Sequence, residues 1–165
     1  MTASMAKLAG ARKVFVSERS PKRIEVARAM GFEVIDIREQ DTVETIMEAT
    51  DGVGVPVAFE TAGVQPTLDD AARVVRIGGQ ILQVGIPKTP PTIDLTSLLF
   101  REIRRTPIRV YRDSDVDLAV ELAGSGSLDL DTPVTHMLPL DRLGEGMEIA
   151  HAATDACKIL IDPWA

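Results

Sequence analysis

The chain has 165 residues and a formal net charge of −7, with 45% hydrophobic and 26% charged residues. This length suits one globular domain, and we expect a single domain over residues 1–165. The acidic balance argues against nucleic acid or an anionic membrane as the main partner. No apolar run reaches the roughly 18 residues of a membrane span, and no secretory signal pattern is found. Because Cys157 is the single cysteine, an internal disulfide is excluded, and we expect a reducing, cytoplasmic location.

Short β-branched runs alternate with helical patterns in the first half of the chain. Strands that alternate with helices of this length indicate right-handed βαβ crossovers and a mostly parallel sheet. The predicted strands are residues 13–17, Phe32–Ile37, Val55–Glu60 and Gln80–Val84. The predicted helices cover residues 1–11, residues 21–30 with Ser20 as N-cap, a segment capped by Asp41, and residues 66–76.

The second half follows a less regular pattern. We predict a loop at residues 88–91, followed by a short extended piece at Thr92–Leu95. The fold class is α/β with a doubly wound, mostly parallel sheet. The predicted helices are Leu98–Arg104, Val116–Ala123 and Leu140–Ala153, and the predicted strands are Ile108–Tyr111, Thr135–Pro139 and Cys157–Asp162.

An acidic residue, Glu18, ends the first predicted strand. In dinucleotide-binding folds a carboxylate at this place accepts hydrogen bonds from the adenosine ribose hydroxyls, and it would repel the 2′-phosphate of NADP. Two alternatives stay open. Arg19 could pair with that phosphate, and Glu18 could instead be a solvated residue at the end of a strand.

Two glycines, Gly63 and Gly85, follow the third and fourth predicted strands. Ligands of open α/β sheets bind beyond the carboxyl ends of the strands, and glycine lets the backbone approach them closely. Ordinary turn chemistry is the alternative at either glycine.

No set of residues has the spacing of a zinc site or a nucleophile–histidine pair. We interpret His136 and Cys157 as structural and His151 as solvated. The basic run at residues 101–105 contains Glu102 and is interpreted as a solvated helix face.

Several segments together carry a family resemblance that covers nearly the whole chain in order. They are MTASMAKLAGARKVFVSERSPKR, VAFETAG, RIGGQILQVGIP, REIRRTPIRVYR, LPLDRLGEGMEIA and CKILIDP. The sequence resembles the cofactor-binding part of the zinc-type medium-chain dehydrogenase/reductases, in the branch of the sorbitol, butanediol and threonine dehydrogenases. The resemblance implies a Rossmann-like fold that binds NAD, with NADP as the less favoured cofactor.

The resemblance assigns three residues to the adenosine and pyrophosphate part of the cofactor. Glu18 resembles the acid that binds the adenosine ribose, and Arg23 matches a basic residue that helps to hold it. Lys158 resembles a basic residue that reaches the pyrophosphate.

The nicotinamide part is assigned to three strand ends. Thr61 and Ala62 match the stretch beside the nicotinamide ribose. The backbone that meets the nicotinamide is matched by Val84, Gly85 and Ile86, and the strand that binds its carboxamide by Ile108, Arg109 and Val110.

Thr92–Leu95 resembles the edge strand through which two cofactor domains of the family pair across a two-fold axis. The resemblance therefore implies a homodimer formed through this edge.

The sequence also departs from the family pattern. The family's N-terminal catalytic domain, with its zinc ligands and proton relay, has no counterpart here, and neither has its first strand with the G-x-G-x-x-G turn. We expect zinc only in a full-length parent, no catalytic residue in this chain, and Met1 to lie inside the first helix of a longer enzyme. Pro107 stands where the family has a small residue, which casts doubt on the local carboxamide contacts.

A Rossmann sheet has its first strand at the centre. Without it, the strands at residues 14–16 and 56–59 would face a gap with unpaired backbone. We predict that these two strands close on each other or that a partner chain fills the place.

The implied parent transfers hydride between NAD and a secondary alcohol or polyol, with zinc polarising the oxygen. We expect this chain alone to be inactive and to bind NAD weakly or not at all. The alternative is a dimerising module without a nucleotide role.

Overall fold

The computed structural model describes all 165 residues, in which helices and short strands alternate. By its internal contacts the chain divides into two compact units, residues 1–40 with 113–165, and residues 41–112. The elements of the first unit are α1 (Thr2–Leu8), β1 (Phe15–Glu18), α2 (Pro21–Ala29), β2 (Glu33–Asp36), α6 (Asp113–Gly124), β6 (Val134–Pro139), a 3-10 turn (Leu140–Arg142), α7 (Leu143–Ala152) and β7 (Lys158–Asp162). Those of the second are α3 (Thr42–Glu48), β3 (Val55–Glu60), α4 (Gln65–Val74), β4 (Val75–Gln83), α5 (Leu95–Phe100) and β5 (Arg104–Pro107).

Every strand pairing is parallel. The second unit holds one sheet in the order β3-β4-β5, and the first holds the pairs β1-β2 and β6-β7. A helix connects β1 to β2 and another connects β3 to β4, which is the βαβ arrangement expected from the alternating pattern. The predicted α/β class with parallel strands is confirmed.

The predicted closure of β1 on β3 is not what the structure has. β1 pairs with β2 and β3 pairs with β4, so the two strands belong to separate sheets. Each strand takes the neighbour to which a single helical crossover delivers the chain, and no such crossover joins β1 to β3. A partner chain beside them stays a prediction.

Local sequence signals account for two helix starts. Asp41 accepts a hydrogen bond from the Glu44 N–H (2.8 Å), which confirms it as the N-cap of α3. Ser20 holds the N-cap position of α2, with Pro21 as the first helical residue, but its side chain makes no capping bond. The Ser20 hydroxyl is buried without a hydrogen-bond partner.

The prediction for residues 98–111 is wrong in detail. The helix is Leu95–Phe100 rather than Leu98–Arg104, and the strand is Arg104–Pro107 rather than Ile108–Tyr111. Asp94 starts the helix early, because its carboxylate caps the Ser97 N–H at 3.0 Å. Pro107 is the last residue in register with β4, and proline is tolerated there because β5 is the edge strand of the sheet.

The core of the second unit lies between β4 and the helices that cover one face of the sheet. Its buried residues are Ala71 of α4, Val75 and Ile81 of β4, Leu98 of α5, and Ile103. Ile81 is fully buried, whereas Ile77 on the same strand is 70% exposed. None of the helices is long and apolar enough to cross a membrane.

The contrast between these two isoleucines gives a stability prediction. We expect Ile81→Ala to lower the free energy of unfolding by about 2–5 kcal/mol, because it leaves a cavity in the core. The matched variant Ile77→Ala should change it by less than about 0.5 kcal/mol. Urea unfolding followed by circular dichroism measures both, and equal losses would contradict the packing described here.

Candidate functional site at the carboxyl ends of the strands

The three strands of the second unit end in one row. In the sheet register Glu60 lies opposite Gln83, and Gln83 lies opposite Pro107. The chain leaves each strand through a turn that is tied to the preceding strand. The N–H groups of Val84 and Gly85 donate to the Glu60 carbonyl at 2.8 and 2.9 Å, and the Ile108 N–H donates to the Gln83 carbonyl at 2.8 Å.

The turns after β3 and β4 touch through glycines. A Cβ on Gly63, whose φ is +68°, would lie 2.7 Å from the Ile86 carbonyl oxygen. A Cβ on Gly85 would lie 2.7 Å from the Glu60 carboxylate and 2.9 Å from the Ala62 nitrogen. Any side chain at either position would therefore push the two turns apart. The close approach explains why both positions are glycine without invoking a ligand.

A buried carboxylate lies under these two turns. Glu60 is 3% exposed, and its Oε1 accepts from the N–H groups of Ala62 (2.9 Å) and Gly63 (2.8 Å) and from the Thr67 hydroxyl (2.6 Å). Its Oε2 accepts from the side-chain amide of Gln83. Buried charges are tolerated when they are hydrogen-bonded in this way.

The hydrogen bonds decide the charge of Glu60. Burial by itself would raise the pKa of this carboxyl, but the bonds from Thr67, Gly63, Gln83 and Ala62 favour the charged form and hold the pKa below its ordinary value. Glu60 is therefore ionised at neutral pH.

The network continues to the third strand through Gln83. The Gln83 amide nitrogen also donates to the Gly85 carbonyl (2.6 Å), and its Oε1 accepts from the Arg105 guanidinium (2.5 Å). Arg105 thus fixes which end of the amide faces Glu60, and the amide in turn holds the turn after β4. Glu60 and Gln83 are not among the site residues predicted from the sequence. A charged residue such as Glu60, at the end of an apolar strand and directly before Thr-Ala-Gly, is a pattern that could have identified it.

The structure brings together the residues predicted for the nicotinamide half at β3 and β4. Thr61 and Ala62 follow β3, and Val84, Gly85 and Ile86 follow β4, all at the same end of one sheet. The side chain of Ile86 is exposed at this end.

The residues predicted for the carboxamide are placed differently. Ile108, Arg109 and Val110 follow β5 and are not part of a strand, because Pro107 is the last residue in register. Ile108 keeps its bond to Gln83. Val110 has φ +63°, a left-handed conformation that is rare for a β-branched residue.

In the first unit, Glu18 and Arg23 lie together at the end of β1. The Glu18 Oε1 accepts from the backbone N–H groups of Arg19 (2.8 Å) and Ser20 (2.9 Å), and its Oε2 lies 3.9 Å from an Arg23 nitrogen. The backbone bonds use Oε1, so Oε2 can accept from an added hydroxyl group. Lys158 is exposed at the start of β7, opposite Val134 of β6.

The segment predicted as a dimerisation edge, Thr92–Leu95, is not a strand. Both backbone groups of Thr92 bond to the Gln65 side chain at 2.9 Å, and Leu95 is already the first residue of α5. No group of three or more His, Cys, Asp or Glu residues could hold a metal ion.

The basic run at residues 101–105 is not a solvated helix face. Arg101 donates to the Ala72 carbonyl at 2.6 Å and to the Val75 carbonyl, at the point where α4 passes into β4. Arg105 lies on β5 and bonds to Gln83. Both cations therefore hold the second unit together.

Asp36 at the end of β2 is a buried carboxylate with one cationic partner. It is 3% exposed, and the Arg38 guanidinium bonds to both of its oxygens at 2.8 and 2.5 Å. These hydrogen bonds lower the pKa of Asp36 to about 2. A carboxyl with a lowered folded-state pKa stabilises the protein above its unfolded pKa, and that stabilisation is lost as the pH falls toward 2.

The pair predicts an acid-dependent loss of stability. We expect Asp36→Asn to reduce the free energy of unfolding at pH 7 and to flatten its decline between about pH 5 and pH 2. Urea titrations at several pH values test this. Glu39→Gln, which removes an exposed carboxylate next to the pair, is the control and should keep the wild-type pH dependence. An identical pH dependence in Asp36→Asn and the wild type would contradict the role of Asp36.

Residues 1–125 match the family model described as zinc-binding dehydrogenase. Among curated proteins, sorbitol dehydrogenase of Bacillus subtilis is 33% identical over 166 residues, which cover 99% of this chain and 47% of that protein. Among solved structures, 2R,3R-butanediol dehydrogenase from Bacillus subtilis has a TM-score of 0.88 at 31% identity, over 98% of this chain and 46% of that one. A zinc-binding dehydrogenase from Sinorhizobium meliloti bound to NADP has a TM-score of 0.85 at 25% identity, over 98% of this chain and 48% of that one. The chain thus spans less than half the length of each of these proteins.

Proposed function

Because the chain belongs to the zinc-binding dehydrogenase family, we propose that it is the cofactor-binding part of an NAD-linked alcohol or polyol dehydrogenase. The observation that supports this most is the row of turns after β3, β4 and β5, which lie at the same end of one sheet and are held together by backbone hydrogen bonds and by the close approach of Gly63 and Gly85. Open α/β sheets bind their ligands beyond this end of the strands. The family relation adds the chemistry, since these sheets carry the nicotinamide cofactor in dehydrogenases.

The proposal gives each predicted residue a part in binding. The turns at residues 61–63 and 84–86 and the segment after β5, Ile108–Val110, would face the nicotinamide end. Glu18 would accept from the adenosine ribose through its Oε2, with Arg23 beside it. Lys158 would pair with the pyrophosphate.

The Glu18 carboxylate favours NAD over NADP. A 2′-phosphate on the ribose would lie next to this negative charge, and like charges at close range repel. Arg19 and Arg23 are the cations that could offset the repulsion, and of these Arg23 is already 3.9 Å from Glu18. We therefore propose NAD as the cofactor, with NADP as the less favoured one.

In this proposal the alcohol substrate is bound by the full-length dehydrogenase and not by this chain alone. When bound, NAD accepts a hydride from a secondary alcohol, and zinc polarises the alcohol oxygen. The residues of this chain do not fit a zinc ion, since no group of three ligating residues is found. The chain binds and orients the cofactor, and it is not assigned a step on the alcohol.

A homodimer and a cytoplasmic location are also proposed. The dimer was predicted through the Thr92–Leu95 segment, and the supporting feature is that α5, which begins at Leu95, exposes Leu95, Leu99 and Phe100. Burial of these apolar side chains against a second copy of the chain would stabilise a dimer, since exposed apolar patches are typical of interfaces. The alternative function is a dimerising module without a nucleotide role.

Calorimetric titration separates the two functions. The chain contains no G-x-G-x-x-G turn, whose backbone N–H groups bind pyrophosphate in such folds, so we expect NADH to bind more weakly than micromolar and NADPH more weakly still. We expect no turnover of sorbitol or 2,3-butanediol by the chain alone. Micromolar binding or measurable turnover would contradict these expectations.

Light scattering with and without NADH provides the control. A dimer that forms at the same protein concentration in both samples, together with no NADH binding at any concentration tested, would favour the alternative module. Glu18→Gln should narrow the difference between NADH and NADPH, because it removes the charge that repels the 2′-phosphate.

A further inference from the structure

The ends of β3 and β4 contain more hydrogen bonding than two ordinary turns require. Glu60 accepts four bonds, two of them from the turn after its own strand and one from the β4 side chain Gln83. We propose that Glu60 is a positioning residue, whose carboxylate and its partner Gln83 set the backbone of the two turns that face the cofactor. That the two turns face a cofactor rests on the proposed function, whereas the effect of Glu60 and Gln83 on the turns does not.

The first step is that the carboxylate fixes the turn after β3. A single oxygen, Oε1, accepts from the N–H groups of Ala62 and Gly63 and from the Thr67 hydroxyl. Both N–H vectors must therefore point back toward the end of the strand. Thr61 and Ala62 themselves are exposed.

The second step is that the charge on Glu60 orients the Gln83 amide. Oε2 is an acceptor, so it takes the Gln83 NH2 group, and the Gln83 oxygen then faces the Arg105 guanidinium at 2.5 Å. The anion on one side and the cation on the other select the same orientation of the amide. Neither contact could survive a reversal of the amide, because two donors or two acceptors would meet.

The third step carries this orientation to the turn after β4. The Gln83 nitrogen that faces Glu60 also donates to the Gly85 carbonyl at 2.6 Å. This bond fixes the peptide between Gly85 and Ile86, and the Gly85 N–H is fixed separately by the Glu60 carbonyl at 2.9 Å. Glu60 and Gln83 together thus determine the direction of the peptide groups on both turns.

The isosteric variant Glu60→Gln tests the inference. Its side chain can keep one acceptor toward Ala62 and Gly63, but its NH2 group then faces the NH2 group of Gln83. One buried donor is left unsatisfied, or Gln83 turns and the Gly85 carbonyl loses its partner. Gln83→Met removes the amide without changing Glu60, and it serves as a second variant if Glu60→Gln does not fold.

The first measurement needs no cofactor. Amide ¹H–¹⁵N spectra of the full chain should show large shifts at Gly63, Gly85 and Ile86 in Glu60→Gln, and at Gly85 and Ile86 in Gln83→Met. The control Gln80→Met removes a side-chain amide of the same strand that bonds to the Thr106 hydroxyl and not to Glu60 or to either turn. It should leave the amides of Gly63, Gly85 and Ile86 at their wild-type positions. Unmoved Gly85 and Ile86 amides in both variants would overturn the inference, whether or not NADH binds.

The second measurement is the affinity for NADH, obtained from the same amide spectra as NADH is added to millimolar concentration. We expect Glu60→Gln and Gln83→Met to weaken binding by about tenfold, since misdirected peptide groups cost about one good hydrogen bond to the ligand. Gln80→Met should bind as the wild type does. Equal affinity in all four proteins would overturn the positioning role. Absence of binding in the wild type, together with a dimer that forms without NADH, would favour the alternative module, and the first measurement would then decide the geometry.

Discussion

An ionised carboxylate inside a protein is stable only where hydrogen-bond donors surround it, and the donors around Glu60 come from every element at the end of β3. Its own turn provides two N–H groups, α4 provides the Thr67 hydroxyl, and β4 provides the Gln83 amide. The sheet of the second unit therefore ends in a set of turns that cannot move independently. Removing the whole carboxylate would leave several buried donors without acceptors at once, which is costlier than the loss of one surface ion pair.

The same arrangement holds the turns of the candidate site close together. Gly63 and Gly85 approach so closely that neither can carry a side chain, and Ile108 is tied to Gln83 through its N–H. Val84 and Ile86 expose apolar side chains beside them, so the surface at this end of the sheet consists of both peptide groups and apolar side chains.

Local signals allowed part of this to be predicted from the sequence. The bounds of β3 were predicted correctly, and Asp41 was identified as a cap, because a β-branched run and a capping residue act over a few residues. The strand β4 starts five residues earlier than predicted because Val75 pairs with Val55 across an irregular register, which is a long-range contact. Arg101 and Arg105 were interpreted as solvated for the same reason, since their partners lie 22 to 29 residues away in the chain. The family resemblance identified the turns, but only the coordinates show the carboxylate beneath them.

The central claim is that the carboxyl ends of β3, β4 and β5 form the surface that binds the nicotinamide end of NAD. The most direct measurement is a map of backbone amide shifts in the wild-type chain as NADH is added to millimolar concentration. The account predicts that the shifts concentrate at residues 61–63, 84–86 and 108–110, with a second group next to Glu18. Shifts confined to other surfaces, or none at any of these turns, would contradict it.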